Sequence, residues 1–294
     1  YGGRKCYRWA KILIEKHLIP FFGGKSLALI QPSLIRDYQQ ERLKKVSGSS
    51  VNREVAVLSK IMTLAVRDSL LQDNRVRLVD KLPEPEGRTF YLTAEQAGKL
   101  LDACPDDFPH VHRLVTVLLE TGARVGEVLA LRWENIDFDT HRIRFDSRTT
   151  KASRERFIPM TEEVEAVLRQ AHSERLKSPA AREWVFTYGG RHLKSCRRAF
   201  YTAMGQAGSE RPKGTGFHLT RHSAATWYMA SEGRRDKLQK ILGHASVKMT
   251  ERYIHAGAEY LDTARQHLGR SAIIRQVKNE RGHTGGHTAH EQQS

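Results

Sequence analysis

The chain has 294 residues, 39% hydrophobic and 28% charged, with a formal net charge of +16 and a sequence pI near 9.9. That length supports two domains with buried cores, and that apolar content excludes a wholly disordered chain. The positive excess predicts an anionic partner, nucleic acid first, while the scattered cysteines Cys6, Cys104 and Cys196 have no CxxC spacing, which excludes a zinc ribbon or disulfide framework and suits a reducing cytoplasm.

Residues 1–82 read as helical. Tyr7, Ala10, Ile14, Leu18 and Ile19 recur at helical spacing, and Pro20-Phe-Phe-Gly-Gly24 is expected to break the helix. Pro32-Ser-Leu-Ile-Arg-Asp-Tyr38 starts a second helix. Ser50 is the expected N-cap of a third, whose apolar face carries Val51, Val55, Leu58, Ile61, Met62 and Ala65. Through Arg88 there are 17 Lys and Arg against 9 Asp and Glu, so half of the chain's net charge lies in its first third. A small helical domain of that charge suits contact with DNA.

Leu82-Pro-Glu-Pro-Glu-Gly87 marks a linker, drawn over 83–91. Thr93-Ala-Glu-Gln96 predicts a capping box opening a helix to about Cys104. An amphipathic helix is predicted over 110–120, ended by Thr121-Gly122. If the next stretch is helical, Arg124 and Glu127 share a face, three residues apart. The period then switches: Ile136 and Phe138, Ile143 and Phe145, then Phe157 and Pro159 alternate as short strands do. Lys151 falls at the tip of a hairpin. Trp184–Tyr188 reads as a further strand or an extended loop. Helices are expected over 161–172, 193–207, 219–232, 234–242 and 246–254, with a last one over 256–268. Residues 269–294 read as a polar, disordered tail. No apolar run is long enough for a membrane span, and no signal peptide is visible.

Two arginines, a lysine, two histidines and a tyrosine in this second region suit phosphodiester chemistry. Arginine pairs with phosphate oxygens through a planar fork and stays charged. Lys or His can protonate a leaving alkoxide. Tyrosine can hold a phosphoryl group covalently.

The same residues carry a family resemblance. Thr121-Gly-Ala-Arg-Val-Gly-Glu-Val-Leu-Ala-Leu-Arg-Trp133 resembles the first arginine box of the tyrosine recombinases, the phage-integrase family. Thr150-Lys-Ala-Ser-Arg-Glu-Arg-Phe-Ile-Pro159 resembles the hairpin with the family lysine, and His218-Leu-Thr-Arg-His-Ser-Ala-Ala-Thr226 the second box. Leu242-Gly-His-Ala-Ser-Val-Lys-Met-Thr-Glu-Arg-Tyr253 resembles the closing box. There are two departures. Thr220 stands before the second arginine where the family has Leu, and Asn74-Arg75 replaces an Asn-Pro at the end of the first domain.

The resemblance implies a mainly α fold with a small antiparallel β-sheet. A helical, SAM-like core-binding domain (1–82) is followed by an α+β catalytic domain (92–268), the two closing as a C-shaped clamp on double-stranded DNA. It implies Tyr253 as nucleophile forming a 3′-phosphotyrosine, Arg124 and Arg221 clamping the phosphate, and His244 adding a hydrogen bond. Lys151 would protonate the leaving 5′-oxygen, His218 assist proton transfer, and Glu127 orient the site. It implies no cofactor, a cytoplasmic protein, and a homo-tetramer on DNA coupled through 256–268. Two rivals stay open: type IB topoisomerase-like strand relaxation, and a non-catalytic DNA-binding protein of the same fold. Whether an arm-binding domain precedes Tyr1 also stays open.

Overall fold

The computed structural model describes residues 7–84, 90–146, 155–208, 216–231, 234–244, 246, 249–254 and 256–258. Lys151, most of the expected final helix, the tail and the middle of the expected linker lie outside the described residues. The chain divides into two compact units, Tyr1–Gly87 and Arg88–Ser294.

In the first unit, helix α1 (Tyr7–Leu13) passes through a π-helical turn, Ile14–Leu18, into α2 (Ile19–Phe22). The helix ends within Pro20–Gly24 as expected, at Gly23 rather than at Pro20 itself. The wider turn just before Pro20 absorbs the missing donor. Helix α3 spans Pro32–Leu43 and α4 spans Gly48–Arg67. The residue at the start of α4 is Ser47, in extended conformation; Ser50 sits inside the first turn. Leu18, Phe22, Ile35, Tyr38, Leu58 and Met62 form the core. At its edge lies a buried polar centre. Glu54, 3% exposed, accepts the Tyr38 hydroxyl at 2.6 Å and Arg42 Nε and Nη2 at 2.9 and 2.7 Å. Asn74 closes the unit without a following proline. Its amide donates to Ser59 O and Thr63 Oγ1 at 2.9 Å, and its Oδ1 accepts Val76 N–H at 3.1 Å.

The second unit opens with α5 (Ala94–Asp102), whose Thr93–Gln96 capping box is complete. Helix α6 (Pro109–Thr121) buries Val111, Leu114, Val115, Leu118 and Leu119 as its sequence suggested, and Arg113, Thr116 and Val117 besides, so it is the unit's central rod. Helices α5, α8 (Glu162–Ser173) and α11 (His218–Ser231) pack on it. A short α7 (Val125–Leu129) follows α6.

Strands β1 (Ile136–Asp137), β2 (Arg142–Phe145) and β3 (Arg156–Pro159) form an antiparallel sheet in that order, with Ile143 opposite Ile158 and Phe145 opposite Arg156. In β3 the inward residues are Arg156 and Ile158, while Phe157 is 56% exposed. This inverts the alternation expected from Phe157 and Pro159: a one-residue change of phase turns every side chain over. Beyond α8, α9 (Pro179–Glu183) leads to Trp184, which bridges to Arg132. Strands β4 (Thr187–Tyr188) and β5 (Arg191–His192) make a second, two-stranded sheet. Helix α10 (Arg197–Gln206) starts four residues later than its sequence suggested. Helix α12 (Arg235–Leu242) and a helical segment at 249–254 complete the described fold. Among the described residues no helix is long and apolar enough to cross a membrane.

Gly122 turns the chain out of α6 at φ +60, accepted without strain only by glycine. A Cβ there would stand 2.9 Å from Leu242 Cδ2 and 3.3 Å from Ala224 Cβ. Gly122→Ala is expected to destabilise the second unit by about 2–4 kcal/mol, combining left-handed strain with overpacking. Urea unfolding followed by the fluorescence of Trp133, Trp184 and Trp227 checks this, and an unchanged midpoint contradicts it.

Candidate active site

The turn at Gly122 delivers Arg124 in extended conformation to the start of α7. Arg124 thus precedes the helix rather than sharing its face with Glu127. Glu127, in the first turn, reaches back to it. Arg124 donates its backbone N–H to Glu127 Oε2 at 2.9 Å and its Nη1 to Oε1 at 2.9 Å. This is no surface ion pair, because Glu127 is 2% exposed. A second arginine makes that burial tolerable: Arg156 Nη2 donates to Glu127 Oε2 at 2.6 Å. Burial alone would raise the Glu127 carboxyl, but the hydrogen bonds and charge of Arg156, then Arg124, hold it below the usual range.

Arg221 lies on the first turns of α11 and is 5% exposed. It donates Nη1 to Gly122 O at 2.8 Å and Nη2 to Leu242 O at 2.7 Å, two carbonyls at helix ends. Burial, and then the nearby Arg124, push its guanidinium down to about 10. It stays charged at neutral pH. The two arginines therefore face each other's fields, and among the described residues no carboxylate is bonded to Arg221, an arrangement suited to an anion between them.

Gly243, at φ +64, ends α12, and His244 follows with its backbone N–H bonded to Gln239 O at 3.1 Å. The His244 ring is fixed by Nδ1 against Thr250 Oγ1 at 2.9 Å and lies near-parallel to the Tyr253 ring, centroids 6.2 Å apart. Tyr253, 2% exposed, packs with Ala225, Leu238 and Leu242. Its hydroxyl meets His222 Nδ1 at 2.9 Å. Burial pushes His222 down to about 4, helped by Arg252, His218 and Arg221; burial and then Arg221 push His244 to about 4 as well. Both rings are neutral at pH 7, and with Nδ1 of His222 unprotonated the tyrosine hydroxyl donates to it. Burial raises the Tyr253 hydroxyl's pKa, while Arg221, Arg252 and Arg124 pull it back.

Of the residues singled out in the sequence, Arg124, Glu127, Arg221, His244 and Tyr253 thus converge. His218 opens α11 on an exposed position. Lys151 lies outside the described residues, five positions before Arg156. Sequence reasoning missed His222, Arg156 and Thr250. His222 is adjacent to Arg221 in the second box, but spacing could not say which of two histidines faces the tyrosine. Arg156 was hidden by the inverted phase of β3.

A family model described as the phage integrase family matches residues 91–259. The chain belongs to the phage integrase family, the tyrosine recombinases. It is similar to the integrase of Escherichia phage P2, 30% identical over 80% of this chain and 64% of that protein. It also resembles a putative integrase of Pseudomonas phage Pf1, 29% identical over 77% of this chain and 63% of that one. The chain thus spans a little under two thirds of these relatives' length. Tyrosine recombinase XerC of Halalkalibacterium halodurans is 25% identical over 88% of this chain and 87% of its own. In fold, the chain matches the Tn1549 transposon integrase solved with transposon right-end DNA, at TM-score 0.73 and 21% identity over 92% and 95% of the two chains. A lambda integrase tetramer bound to a Holliday junction matches at TM-score 0.72 and 19% identity over 85% and 71%.

The two neutral histidines make this integrase-family chain acid-sensitive in a defined window. Each has its pKa depressed from 6.5 to about 4 on folding, so the unfolded state takes up more protons as the pH falls through that range. Stability is complete above pH 6.5 and is lost toward pH 4, by up to about 1.4 kcal/mol per pH unit per histidine. Unfolding midpoints of the wild type and His222→Asn between pH 7 and 5 check this: the variant should show the shallower decline, and parallel profiles would contradict the assignment.

Proposed function

We propose that the chain is a site-specific DNA recombinase or integrase that cuts and rejoins strands through a 3′-phosphotyrosine. The observation that carries the proposal is the Tyr253 hydroxyl bonded to a neutral histidine inside the field of Arg221 and Arg124. That arrangement provides a nucleophile, a proton acceptor and charge compensation for a phosphodiester in one place. The family membership supports the same reading, as do the integrases named above and the two fold relatives solved on DNA.

In the proposed reaction the Tyr253 oxygen attacks the scissile phosphorus and its proton passes to His222. Arg124 and Arg221 take the non-bridging oxygens, and His244 adds a donor when its Nε2 carries the proton. The bond from phosphorus to the 5′-oxygen breaks, and Lys151 supplies the proton that makes a 5′-hydroxyl. Attack of another strand's 5′-hydroxyl on the phosphotyrosine reverses these steps and exchanges strands. The bond energy is kept in the phosphotyrosine, so no nucleotide triphosphate is needed. Residues 1–82 serve as the core-binding domain on double-stranded DNA, and 256–268 couples the subunits of a tetramer. The +16 net charge supplies the salt-sensitive part of the affinity.

A duplex nicked just beyond the cleaved bond loses its short 5′-hydroxyl fragment and traps the adduct. The wild type is expected to form a covalent protein–DNA band that Tyr253→Phe abolishes and that His222→Asn slows by roughly 10²-fold, within the range for losing a general base. An undiminished band from Tyr253→Phe would sink the assignment of the nucleophile.

A further inference from the structure

The buried arginine of β3 has no part in the reaction as described above, yet it bonds the acid that holds Arg124 and the end of the helix that leads to His244. Arg156 is 9% exposed at the first position of the strand. Its Nη2 donates to Glu127 Oε2 at 2.6 Å, and its Nε donates to Ile241 O, near the end of α12, at 2.9 Å. Its guanidinium lies 4.6 Å over the Phe145 ring on the neighbouring strand. Gly243 leaves room for it: a Cβ there would stand 3.3 Å from Arg156 Cδ and 3.6 Å from Nε.

Two physical consequences follow. Glu127 alone would cancel the charge of Arg124, leaving a neutral pair where a phosphate needs a cation. With Arg156 on the same carboxylate the triad carries a net positive charge, and Glu127 still fixes the Arg124 fork. The second consequence is geometric. One planar group joins the strand that follows Lys151 to the first arginine box and to the turn that presents His244. A lysine's single ammonium cannot hold Glu127 and the Ile241 carbonyl through two separate donors in a fixed plane.

We infer that Arg156 is a positioning residue of the phosphate site, setting Arg124 through Glu127 and tying both to the turn at Gly243–His244. This inference rests on the recombinase reading and is tested so that the two fail differently. Cleavage of the nicked duplex is timed under single-turnover conditions with an ordinary scissile phosphate and with a methylphosphonate in its place. The methylphosphonate lacks one anionic oxygen, so it needs less compensation from Arg124. Arg156→Lys and Arg156→Gln should slow cleavage of the phosphodiester by roughly 10²-fold, the scale of an angstrom-sized misplacement. DNA affinity should stay within about twofold for a group that does not contact the phosphate itself. On the methylphosphonate the deficit should shrink below about tenfold. Adding Arg156→Lys to Arg124→Ala should cost much less than Arg156→Lys costs alone, since the larger part of its effect passes through the Arg124 guanidinium.

Equal losses on both substrates, additive losses in the double variant, or wild-type rates would each overturn the inference. So would unfolding of both Arg156 variants, which would make the role structural. If only Arg156→Gln fails to fold, Arg156→Lys carries the test. A wild type that forms no adduct on either substrate overturns the recombinase reading itself, an outcome distinct from all of these.

Discussion

The candidate site depends on one buried carboxylate. Glu127 sits 2% exposed between Arg124 and Arg156 and accepts from both. A lone carboxylate in such a place would be neutralised by protonation, and a lone guanidinium would lack a partner. Breaking one member out of a buried ionic set typically costs about 3–5 kcal/mol, because the others stay behind uncompensated. The set is also where α7, β3 and the end of α12 meet. Backbone carbonyls then do for Arg221 what Glu127 does for Arg124: Gly122 O and Leu242 O orient it without cancelling its charge. One arginine is held by a shared acid and the other by two helix ends, so the pocket stays cationic.

The first unit is organised around the same kind of device. Glu54 gathers Tyr38 and Arg42, and Asn74 bonds the following turn onto α4. Each unit thus relies on one satisfied acid where its helices cross, with apolar packing around it. Such groups add directional constraints that apolar contacts lack, which helps a small helical core settle into one arrangement.

Much of this was legible in the sequence. Helical spacing, the Thr93–Gln96 capping box and the Gly122 stop are local signals, and among the described residues the helices formed near where those signals placed them. The boxes around Arg124, Arg221, His244 and Tyr253 were legible through their resemblance to a family, with residue types that suit a phosphate. What was illegible was long-range. The phase of β3 depends on a carboxylate 29 positions earlier that makes Arg156 an inward residue. With Phe157 beside it, ordinary hydrophobicity favours the opposite phase. The choice between His218 and His222 depends on how far α11 is rotated on α6. Within Pro20–Gly24 it is Gly23 that ends the helix, because a single wider helical turn accommodates Pro20. Ser47 replaced Ser50 because three neighbouring serines offer the same local chemistry, and only the helix's packing selects among them.

The seating of Tyr253 has a consequence for where binding energy goes. Its ring is enclosed by α11 and α12, and just beyond it Gly257 approaches α11 so closely that a Cβ would lie 3.0 Å from Met229 Cβ. With Tyr253 2% exposed, a phosphate meets the hydroxyl only once that packing yields. On the recombinase reading the reactive form is therefore a minority conformer in which the packing over the hydroxyl has opened while its bond to His222 is kept, and part of the affinity for a correct site is consumed in that opening. Measured affinity then understates the intrinsic fit by the reciprocal of that conformer's population. A DNA that contacts the protein too weakly to shift this balance is bound and released uncut. On that reading, fidelity draws on a sheathed nucleophile as well as on reading the bases.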